Sequence, residues 1–576
     1  MSNKEAVQKL LALLNNHKRA MAVIIGCMLI STGLNLCVPL LSKQIMDDGF
    51  IGGNKELLLR LVLCSLLIYL INCILDIFKE KKRIDISAKI QYFLSDEAFS
   101  HLIKMKISYF DNKNYAEILN NINVDINNMT SIADSSMFFV VSQAFGMVGG
   151  VIGLFILDYR MTILVLLFIP IKYIAMKYFA KKRKKVMDEF IFDSEQYARW
   201  FGDTIGGVKE VKIFGIFDNK HKEFAVKQNQ VIQKQKKMNM LSQWNNISDT
   251  ILVQILTTMI YIIGFALVFN LQLSVGSVFA FITYSVYVTG PISAILNIGY
   301  LLSGIVPSTK RYYEFMNMEE DNNGEERIIL PQFGDIEFQQ VSFAYQKDKP
   351  VIENINLIFP KGSKTALIGK NGSGKSTMID LLLQMYVPTK GKILLTGDEI
   401  LNISLGEYRD MFSVVSQDIY LFNDTIRNNI CLYKHVDDSL ILDACKDSGL
   451  AEFVAGVSLD YSVGQNGSML SGGQKQKIAL ARALIHERPI VVFDEATSST
   501  DACSEQQINA LLHTRLRDKT VIVITHKKEI LSEVDQIVVL DDGKIDTVGG
   551  YEEVKQSKYW LELTDDYMKM QKDACI

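Results

Sequence analysis

The chain has 576 residues, too many for one ordinary domain, and 49 % of them are hydrophobic. Its net charge is only −3 at pH 7, so no overall basic field favours nucleic acid as a partner. Its eight cysteines include no Cys-x-x-Cys pair, which argues against zinc or dithiol chemistry. These features favour a membrane protein with more than one domain.

The first half of the chain contains six apolar segments long enough to cross the roughly 30 Å of hydrocarbon in a bilayer. A buried soluble helix could explain any one of them, but six together indicate a membrane domain. The first segment is too long for the apolar core of a signal peptide. The predicted spans are Ala20–Ile45, Leu57–Phe78, Met137–Leu157, Met161–Tyr178, Ile251–Phe269 and Val275–Ile305.

The charges between the spans predict the orientation of this domain. Long connections follow the second and fourth spans, at 79–136 and 179–250, and each begins with a basic cluster. The other connections are short and carry few Lys or Arg. By the positive-inside rule, both long connections and both termini are predicted to be cytoplasmic. Helical periodicity in the long connections predicts that the membrane helices continue beyond the bilayer.

An acidic, polar stretch around residues 319–330 predicts a linker between two domains. We expect an all-α, six-helix transmembrane domain over 1–318. We expect an α/β P-loop ATPase domain over 331–576, because strand-like and helix-like patterns alternate there.

A glycine-rich loop in this second domain predicts a nucleotide site. An apolar strand, Thr365–Ile368, precedes the loop, and an apolar helix, Met378–Met385, follows it, which is the context that the G-x-x-x-x-G-K-[ST] pattern requires. Glycines let backbone N–H groups surround phosphate, and Lys375 adds a positive charge for the outer phosphates. The predicted ATP-binding residues here are Gly369, Asn371, Gly372, Ser373, Gly374, Lys375, Ser376 and Thr377.

Other candidate residues follow the ends of predicted strands. Asp494 ends the apolar run 490–493 and is expected to bind Mg²⁺, and Glu495 is expected to polarise the attacking water. His526 is a candidate sensor of the terminal phosphate, although a lone histidine is more often structural. Tyr345 is a candidate for stacking on adenine, with a packed aromatic as the alternative. The predicted Mg²⁺ ligands are Ser376, Gln417 and Asp494.

Leu470–Gln474 reads Leu-Ser-Gly-Gly-Gln, a motif that other P-loop ATPases lack. With it, the chain resembles the ATP-binding cassette transporters, specifically an exporter-type half-transporter with fused membrane and nucleotide-binding domains. The resemblance implies that Ser471, Gly472, Gly473 and Gln474 contact ATP held by a second cassette, and that Asp501 crosses the interface between cassettes. It further implies that Tyr345, Gln417, Glu495 and His526 are the adenine-stacking, coupling, catalytic and switch residues.

The resemblance also implies twelve membrane helices in the working unit, so this chain is expected to form a dimer. A homodimer would have two competent ATP sites, and a heterodimer with another half remains open. Segments near Tyr109–Tyr115 and Phe214–Lys220 resemble the coupling elements that dock on the cassettes. Two departures from the family pattern are Gln465, where a Glu is common, and Ser499-Thr500 before Asp501.

The cargo is poorly defined by the sequence. Polar side chains in the spans either line a cavity or bond to neighbouring helices; they are Gln143, Gln254, Thr283, Tyr284, Ser285, Tyr287 and Thr289. We expect a bacterial plasma-membrane exporter of a peptide, or of a peptide-derived or amphipathic compound. The alternatives are a lipid or multidrug exporter, an importer on the same scaffold, and a regulatory ATPase that transports nothing. No N-terminal peptidase domain is expected.

Overall fold

The computed structural model describes residues 1–111, 115–133, 135–321, 333–346, 349–494, 509–525, 527–556 and 560. The chain divides into two compact units. The first consists of Met1–Ile103 and Lys113–Met318, and the second of Lys104–Asn112 and Glu319–Ile576. A short segment from the first half of the chain therefore groups with the second unit.

The first unit is helical. After a short helix α1, which Ser2 and Glu5 begin with a reciprocal capping box, the chain forms long apolar helices. The helices are α1 (Asn3–Asn15), α2 (Lys18–Gln44), α3 (Lys55–Leu102), α4 (Tyr115–Thr130), α5 (Ser135–Leu157), α6 (Tyr159–Gly206), α7 (Val208–Ile213), α8 (Phe217–Phe269) and α9 (Val275–Met316). A π-helical turn, Ile45–Ile51, extends α2.

Six helical segments of the described chain are long and apolar enough to cross a membrane, in agreement with the predicted spans. They are Lys18–Ile51, Lys55–Leu102, Glu117–Leu157, Tyr159–Gly206, Phe217–Phe269 and Val275–Ser293. At 1.5 Å per residue, the 53 residues of α8 extend for about 80 Å, far more than a bilayer requires. Helices α3, α6 and α8 therefore continue well beyond the hydrocarbon, as the periodicity of the long connections predicts.

Close packing in the first unit joins α5, α6, α8 and α9 through a buried apolar cluster. Leu154, Met161, Ile260 and Phe281 belong to it. Small residues permit the close approach: a Cβ on Gly153 would lie 2.6 Å from Cε1 of Tyr284. This is the usual way in which membrane helices pack, because apolar burial gives little net gain between helices in lipid.

The second unit is built on two sheets, one with strand order β2-β1-β4-β5 and one with order β10-β9-β3-β8-β7-β6. The strands are β1 (Ile336–Phe343), β2 (Ile352–Phe359), β3 (Lys364–Gly369), β4 (Lys390–Leu395), β5 (Asp398–Glu399), β6 (Phe412–Val415), β7 (Ile490–Asp494), β8 (Thr520–Ile524), β9 (Gln536–Asp541) and β10 (Lys544–Gly549).

The helices of this unit are α10 (Lys375–Leu382), α11 (Leu405–Arg409), α12 (Ile426–Cys431), α13 (Asp438–Asp447), α14 (Ala451–Val457), α15 (Gly472–Ile485), α16 (509–513), α17 (Lys528–Leu531) and α18 (Tyr551–Val554). Helices α12 to α15 share a separate apolar core that includes Ile426, Ile441 and Ile478.

The middle of the six-stranded sheet is buried on both faces. In β3, Leu367 belongs to one apolar cluster, while Ala366 and Ile368 belong to the other. Strands β3, β6, β7, β8 and β9 are mutually parallel, and β10 is antiparallel to β9. Parallel strands covered on both faces are mostly apolar, which is why residues 490–493 of β7 and 521–524 of β8 form uninterrupted apolar runs.

Candidate functional site

The parallel sheet brings the predicted site residues to one edge. Strands β3, β8, β7 and β6 lie side by side and point the same way, so their carboxyl ends meet at this edge. The glycine-rich loop follows β3, Asp494 ends β7, and Gln417 comes two residues after β6. Open α/β sheets bind ligands at this kind of edge.

The backbone of the glycine-rich loop has a shape that only glycine adopts without strain. Gly372 has φ +83°, and Gly374 has φ +100° immediately before α10. A Cβ on Gly374 would lie 3.1 Å from the carbonyl oxygen of Val351. The loop thus turns sharply into the amino end of α10, where backbone N–H groups are available to an anion.

Lys375 places a cation inside this loop. Its side chain is buried, and its Nζ donates hydrogen bonds to the carbonyl oxygens of Gly369 (2.8 Å) and Lys370 (3.0 Å). The ammonium group is therefore held at the loop before any phosphate arrives. An ammonium that exchanges a carbonyl for a phosphate oxygen gains a stronger, charge-assisted hydrogen bond.

A buried hydroxyl in the loop is also suited to bind phosphate. Ser373 is 3 % exposed, and within the described part of the chain its Oγ has no hydrogen-bond partner. A buried polar atom without a partner is costly, so a phosphate oxygen accepting from this hydroxyl would remove that cost. Asn371 and Ser376 are exposed on the two sides of the loop. The loop residues therefore fit a triphosphate.

Tyr345 flanks the start of α10 with an aromatic ring. Its hydroxyl lies 3.1 Å from Oγ1 of Thr377, and its ring packs edge-to-face against Phe343 and Tyr386, at 4.9 and 5.1 Å between centroids. The side chain remains 48 % exposed, which leaves surface for a further ring to stack. Burial raises the pKa of the Tyr345 hydroxyl, and burial together with Asp111 raises the pKa of Asp380.

The Mg²⁺ prediction rests on oxygen donors from three elements. Ser376 lies in the first turn of α10, Gln417 follows β6 and Asp494 ends β7. Ser376 and Gln417 are exposed. Among the described residues, no group of three or more His, Cys, Asp or Glu converges as a protein-only metal cage. This donor set suits an ion such as Mg²⁺, which takes few protein oxygens and completes its shell with phosphates and water.

The Ser-Gly-Gly-Gln motif forms the exposed amino end of α15. Ser471 Oγ accepts from the Gln474 backbone N–H (3.3 Å), and the Ser471 N–H donates to Gln474 Oε1 (2.9 Å), a complete capping box. Ser471 and Gly472 are exposed, whereas Ile478 and Ala481 of the same helix are buried. The capping box explains why a Gln stands three residues after the Ser, and the apolar face anchors the helix.

The remaining site predictions fall outside the described residues. Glu495, Asp501 and His526 are in this group, and so is part of the segment Tyr109–Tyr115. Their roles stay predictions from the resemblance.

The sequence did not reveal how the segment Lys104–Asn112 joins the second unit. Its Asp111 accepts a hydrogen bond from the Tyr386 hydroxyl (2.9 Å), and Lys106 forms an ion pair with Glu319. Because Tyr386 packs against Tyr345, this segment is two side chains away from the glycine-rich loop. No short-range pattern identifies Tyr386, because its partner is 275 residues away in the chain.

Several polar side chains in α9 have structural partners. The Tyr284 hydroxyl donates to the Leu36 carbonyl oxygen (2.5 Å), Ser285 donates to Ile282, and Thr289 donates to Ser285. All three are buried. For these residues the structure supports the helix-packing interpretation over the cavity-lining one.

Comparisons with known proteins cover most of the chain. The family model described as ABC transporter transmembrane region matches residues 21–292, and the one described as ABC transporter matches residues 352–498. An ATP-dependent lipid A-core flippase of Pectobacterium atrosepticum is 29 % identical over 554 residues, 95 % of this chain and 94 % of that protein. A flippase of the same name from Yersinia pestis is 28 % identical and covers 97 % of each chain.

A solved structure has the same fold. It is described as a bacterial Atm1-family ABC exporter with ATP bound, and it superposes with a TM-score of 0.82 over 96 % of this chain and 98 % of that chain. The sequence identity is 21 %, so the likeness is one of architecture. The glycine-rich loop, the strand-end carboxylate and the Ser-Gly-Gly-Gln helix thus lie in a chain that matches these proteins over nearly its whole length.

Proposed function

Because the chain belongs to the ABC transporters, with a transmembrane region and an ATP-binding cassette in one polypeptide, we propose that its ATP-driven export carries a lipid-like amphipathic molecule. The chain is a multi-pass membrane protein whose cassette is an ATP hydrolase. One observation supports this class of cargo: relatives that match nearly the whole chain are named lipid A-core flippases. The sequence-based preference for a peptide gains no support from these relatives.

Residues of the chain itself account for ATP binding. Backbone N–H groups of the loop and of α10 surround the phosphates, and Lys375 and Ser373 add an ammonium and a hydroxyl. Ser376, Gln417 and Asp494 would hold Mg²⁺, which supplies charge neutralisation on the outer phosphates. Tyr345 would stack on the adenine ring.

Hydrolysis would use the residue after β7. Glu495 follows Asp494 in the chain, and a carboxylate there would accept a proton from the attacking water. His526, two residues after β8, would contact the terminal phosphate, as the family resemblance implies. Phosphoryl transfer needs mainly positioning and charge stabilisation, so these few side chains suffice.

Two copies of the chain would complete the transporter. The exposed amino end of α15 presents Ser471 and Gly472 to a phosphate held by a second cassette. In the first unit, the turn between α7 and α8 exposes Ile213 (63 %), Phe214 (72 %) and Phe217 (68 %). Such an apolar tip fits a docking element for a second copy. The basic connections would place the cassettes in the cytoplasm.

The cargo class is tested with the full chain reconstituted in lipid nanodiscs and in vesicles. ATP hydrolysis is measured with added lipid A, with an amphipathic peptide and with a cationic amphipathic dye. We expect lipid A to stimulate hydrolysis several-fold and the peptide to leave it unchanged. In vesicles, a headgroup-labelled phospholipid should change leaflet only when ATP is present.

Glu495→Gln is the control, because it should bind ATP and hydrolyse almost none. Stimulation by the peptide with no effect of lipid A would replace the lipid proposal with the peptide one. Hydrolysis that no amphiphile changes, with no lipid movement in vesicles, would reject the lipid proposal altogether.

A further inference from the structure

A pocket of about 330 Å³ lies in the first unit among α2, α3 and α5. Half of its lining residues are apolar and half are polar, and two of the polar ones are cations. The lining residues are Ile24, Met28, Phe138, Phe139, Lys79, Glu80, Arg83 and Ser142. We refer to it as the α2–α3–α5 pocket.

The three helices place this pocket at the edge of the bilayer. The apolar run of α2 begins at Ala20, so Ile24 lies about 6 Å inside it. The apolar run of α3 ends at Phe78, immediately before Lys79, and Phe138 lies in the first turn of α5. Helix α2 crosses the membrane, α3 returns, and α5 starts from the side on which α3 leaves. All three ends therefore lie at the same boundary between hydrocarbon and water.

The two cations of the pocket are held differently. Arg83 is fixed: it pairs with Glu80 at 2.6 Å and donates to the Ala133 carbonyl oxygen at 3.2 Å, so it ties α3 to the turn that precedes α5. Lys79 has a weaker partner, the carboxylate of Asp76 at 2.5 Å, whose side chain is 59 % exposed. Lys79 itself is 27 % exposed, so solvent reaches the pair mainly at the carboxylate; a pair with one exposed partner contributes about 1 kcal/mol, which a phosphate can replace.

The local charge favours an anion. The stretch from Asp76 to Arg83 carries four cations, Lys79, Lys81, Lys82 and Arg83, and two carboxylates. Basic clusters just outside a span attract anionic lipid headgroups, by about 1 kcal/mol per cation. The apolar wall formed by Phe138 and Phe139 adds a surface that a free anion cannot use.

We propose that the α2–α3–α5 pocket binds an anionic membrane lipid, with its phosphate at Lys79 and the start of an acyl chain against Ile24, Met28 and Phe138. The phosphate replaces Asp76 as the partner of Lys79. Ser142, whose hydroxyl donates to the Phe139 carbonyl oxygen at 2.9 Å, lines the pocket beside the chain. The proposal concerns binding and does not require that this lipid be the transported cargo.

The test measures lipid binding to the full chain, purified in detergent without nucleotide, by native mass spectrometry. The probes are dioleoyl phosphatidylglycerol, dioleoyl phosphatidylcholine and inorganic phosphate. Lys79→Gln removes the cation, and Ser142→Phe fills the pocket without changing charge. Lys55→Gln is the matched control, because Lys55 is an exposed lysine at the opposite end of α3.

We expect phosphatidylglycerol to bind more tightly than phosphatidylcholine. Lys79→Gln should weaken phosphatidylglycerol binding about fivefold. Ser142→Phe should remove the binding, and Lys55→Gln should leave it unchanged. Two results overturn the proposal: equal binding by Lys79→Gln and Lys55→Gln, or unchanged binding by Ser142→Phe. Displacement of the lipid by inorganic phosphate would assign the site to a free anion instead. Because no nucleotide is present, the outcome is independent of lipid-stimulated hydrolysis.

Discussion

At the scale of single residues, the proposed ATP site contains a lysine that the loop already holds in place. Lys375 donates to two loop carbonyls and is buried, so little conformational entropy remains to be lost when phosphate binds. The structure also explains the glycines around it, since Gly374 has a positive φ and almost no room for a Cβ.

Lys375→Ala should therefore weaken ATP binding. The lost charge-assisted hydrogen bond contributes about 2 kcal/mol, which corresponds to about a 30-fold higher Kd. Lys370→Ala is the matched control, because it removes an exposed side chain from the same loop and keeps the carbonyl that Lys375 uses. Equilibrium binding of a fluorescent ATP analogue measures both. Equal affinities for the two variants would contradict the role of Lys375.

His486 should make stability depend on pH. It lies at the end of α15, its Nε2 is buried without a hydrogen-bond partner in the described chain, and burial, with nearby Lys434, Arg488 and Arg482, lowers its pKa. The unfolded chain, with an ordinary histidine pKa of about 6.5, then binds more protons than the folded one. Stability is fully present above that pH and is lost as the pH falls.

His486→Gln should remove this contribution. Between pH 7.5 and pH 5.5, the Tm of the wild-type chain should fall further than the Tm of His486→Gln. The exposed His435 provides the control, because His435→Gln should follow the wild type at both pH values. Thermal unfolding in detergent, monitored by tryptophan fluorescence, checks this; identical pH slopes for all three proteins would rule out His486.

The candidate ATP-site residues could be proposed from the sequence because the chemistry of the glycine-rich loop is local. Loop, helix start and Lys375 lie within nine consecutive residues, and each strand-end residue follows an apolar run. Lys172 shows the opposite case. It stands within the predicted span Met161–Tyr178, where the average hydropathy over many apolar neighbours conceals its charge. The role of Lys172 becomes clear only from the structure, which shows its ion-pair partner on another helix.

At the scale of elements, that partner joins two membrane helices. Lys172 of α6 is fully buried, and its Nζ lies 2.8 Å from Oδ1 of Asp249 in α8. The contact is an ion pair without the alignment of a good hydrogen bond. Ser293 of α9 donates to the same Asp249 oxygen at 3.2 Å, so three helices meet at one carboxylate. A charge buried between apolar helices is costly unless it is paired.

Breaking this pair from one side should destabilise the helix bundle. Lys172→Met leaves Asp249, whose side chain is 31 % exposed, without its cation and should cost about 1 to 3 kcal/mol, whereas the double variant Lys172→Met, Asp249→Asn should recover most of the loss. Lys234 and Glu189 offer a matched control, because they also join α8 to α6, at 2.6 Å, but both are about one-third exposed.

Lys234→Met should accordingly cost less than about 1 kcal/mol. Thermal unfolding in detergent compares the four proteins. If the double variant is as unstable as Lys172→Met alone, Lys172 acts through packing and not through its charge.

The elements of the fold could be predicted to different extents. Strands β3, β7 and β8 were recognisable because central parallel strands are mostly apolar. Their order in the sheet was not, because β3 pairs with β8 and β9, more than 150 residues away, and no local pattern encodes that register. The spans followed from hydropathy alone, since a lipid-facing helix must be apolar on nearly every side.

At the scale of the whole molecule, the proposed dimer makes a prediction about each ATP site, which would be complete only when a second copy supplies Ser471. In the proposed dimer, each ATP contacts Lys375 of one chain and Ser471 of the other. A C2 dimer then contains two equivalent sites, and each chain contributes a different half to each site. If a single chain held a complete ATP site, hydrolysis would not require a residue from the second chain.

Mixing two inactive chains distinguishes these arrangements. Lys375→Ala and Ser471→Arg should each abolish most ATP hydrolysis as homodimers. When the two variants are reconstituted together in equal amounts, half of the dimers contain one copy of each variant. Each of these mixed dimers has one ATP site with both an intact Lys375 and an intact Ser471. Hydrolysis should return to about a quarter of the wild-type rate if the sites act independently.

A chain carrying both substitutions, mixed with the wild type, creates no additional intact site and is the control. If both halves of the site belonged to the same chain, every site in the first mixture would carry a defect. The rate would then stay at the level of the separate variants, because no exchange of subunits could bring an intact Lys375 and an intact Ser471 together.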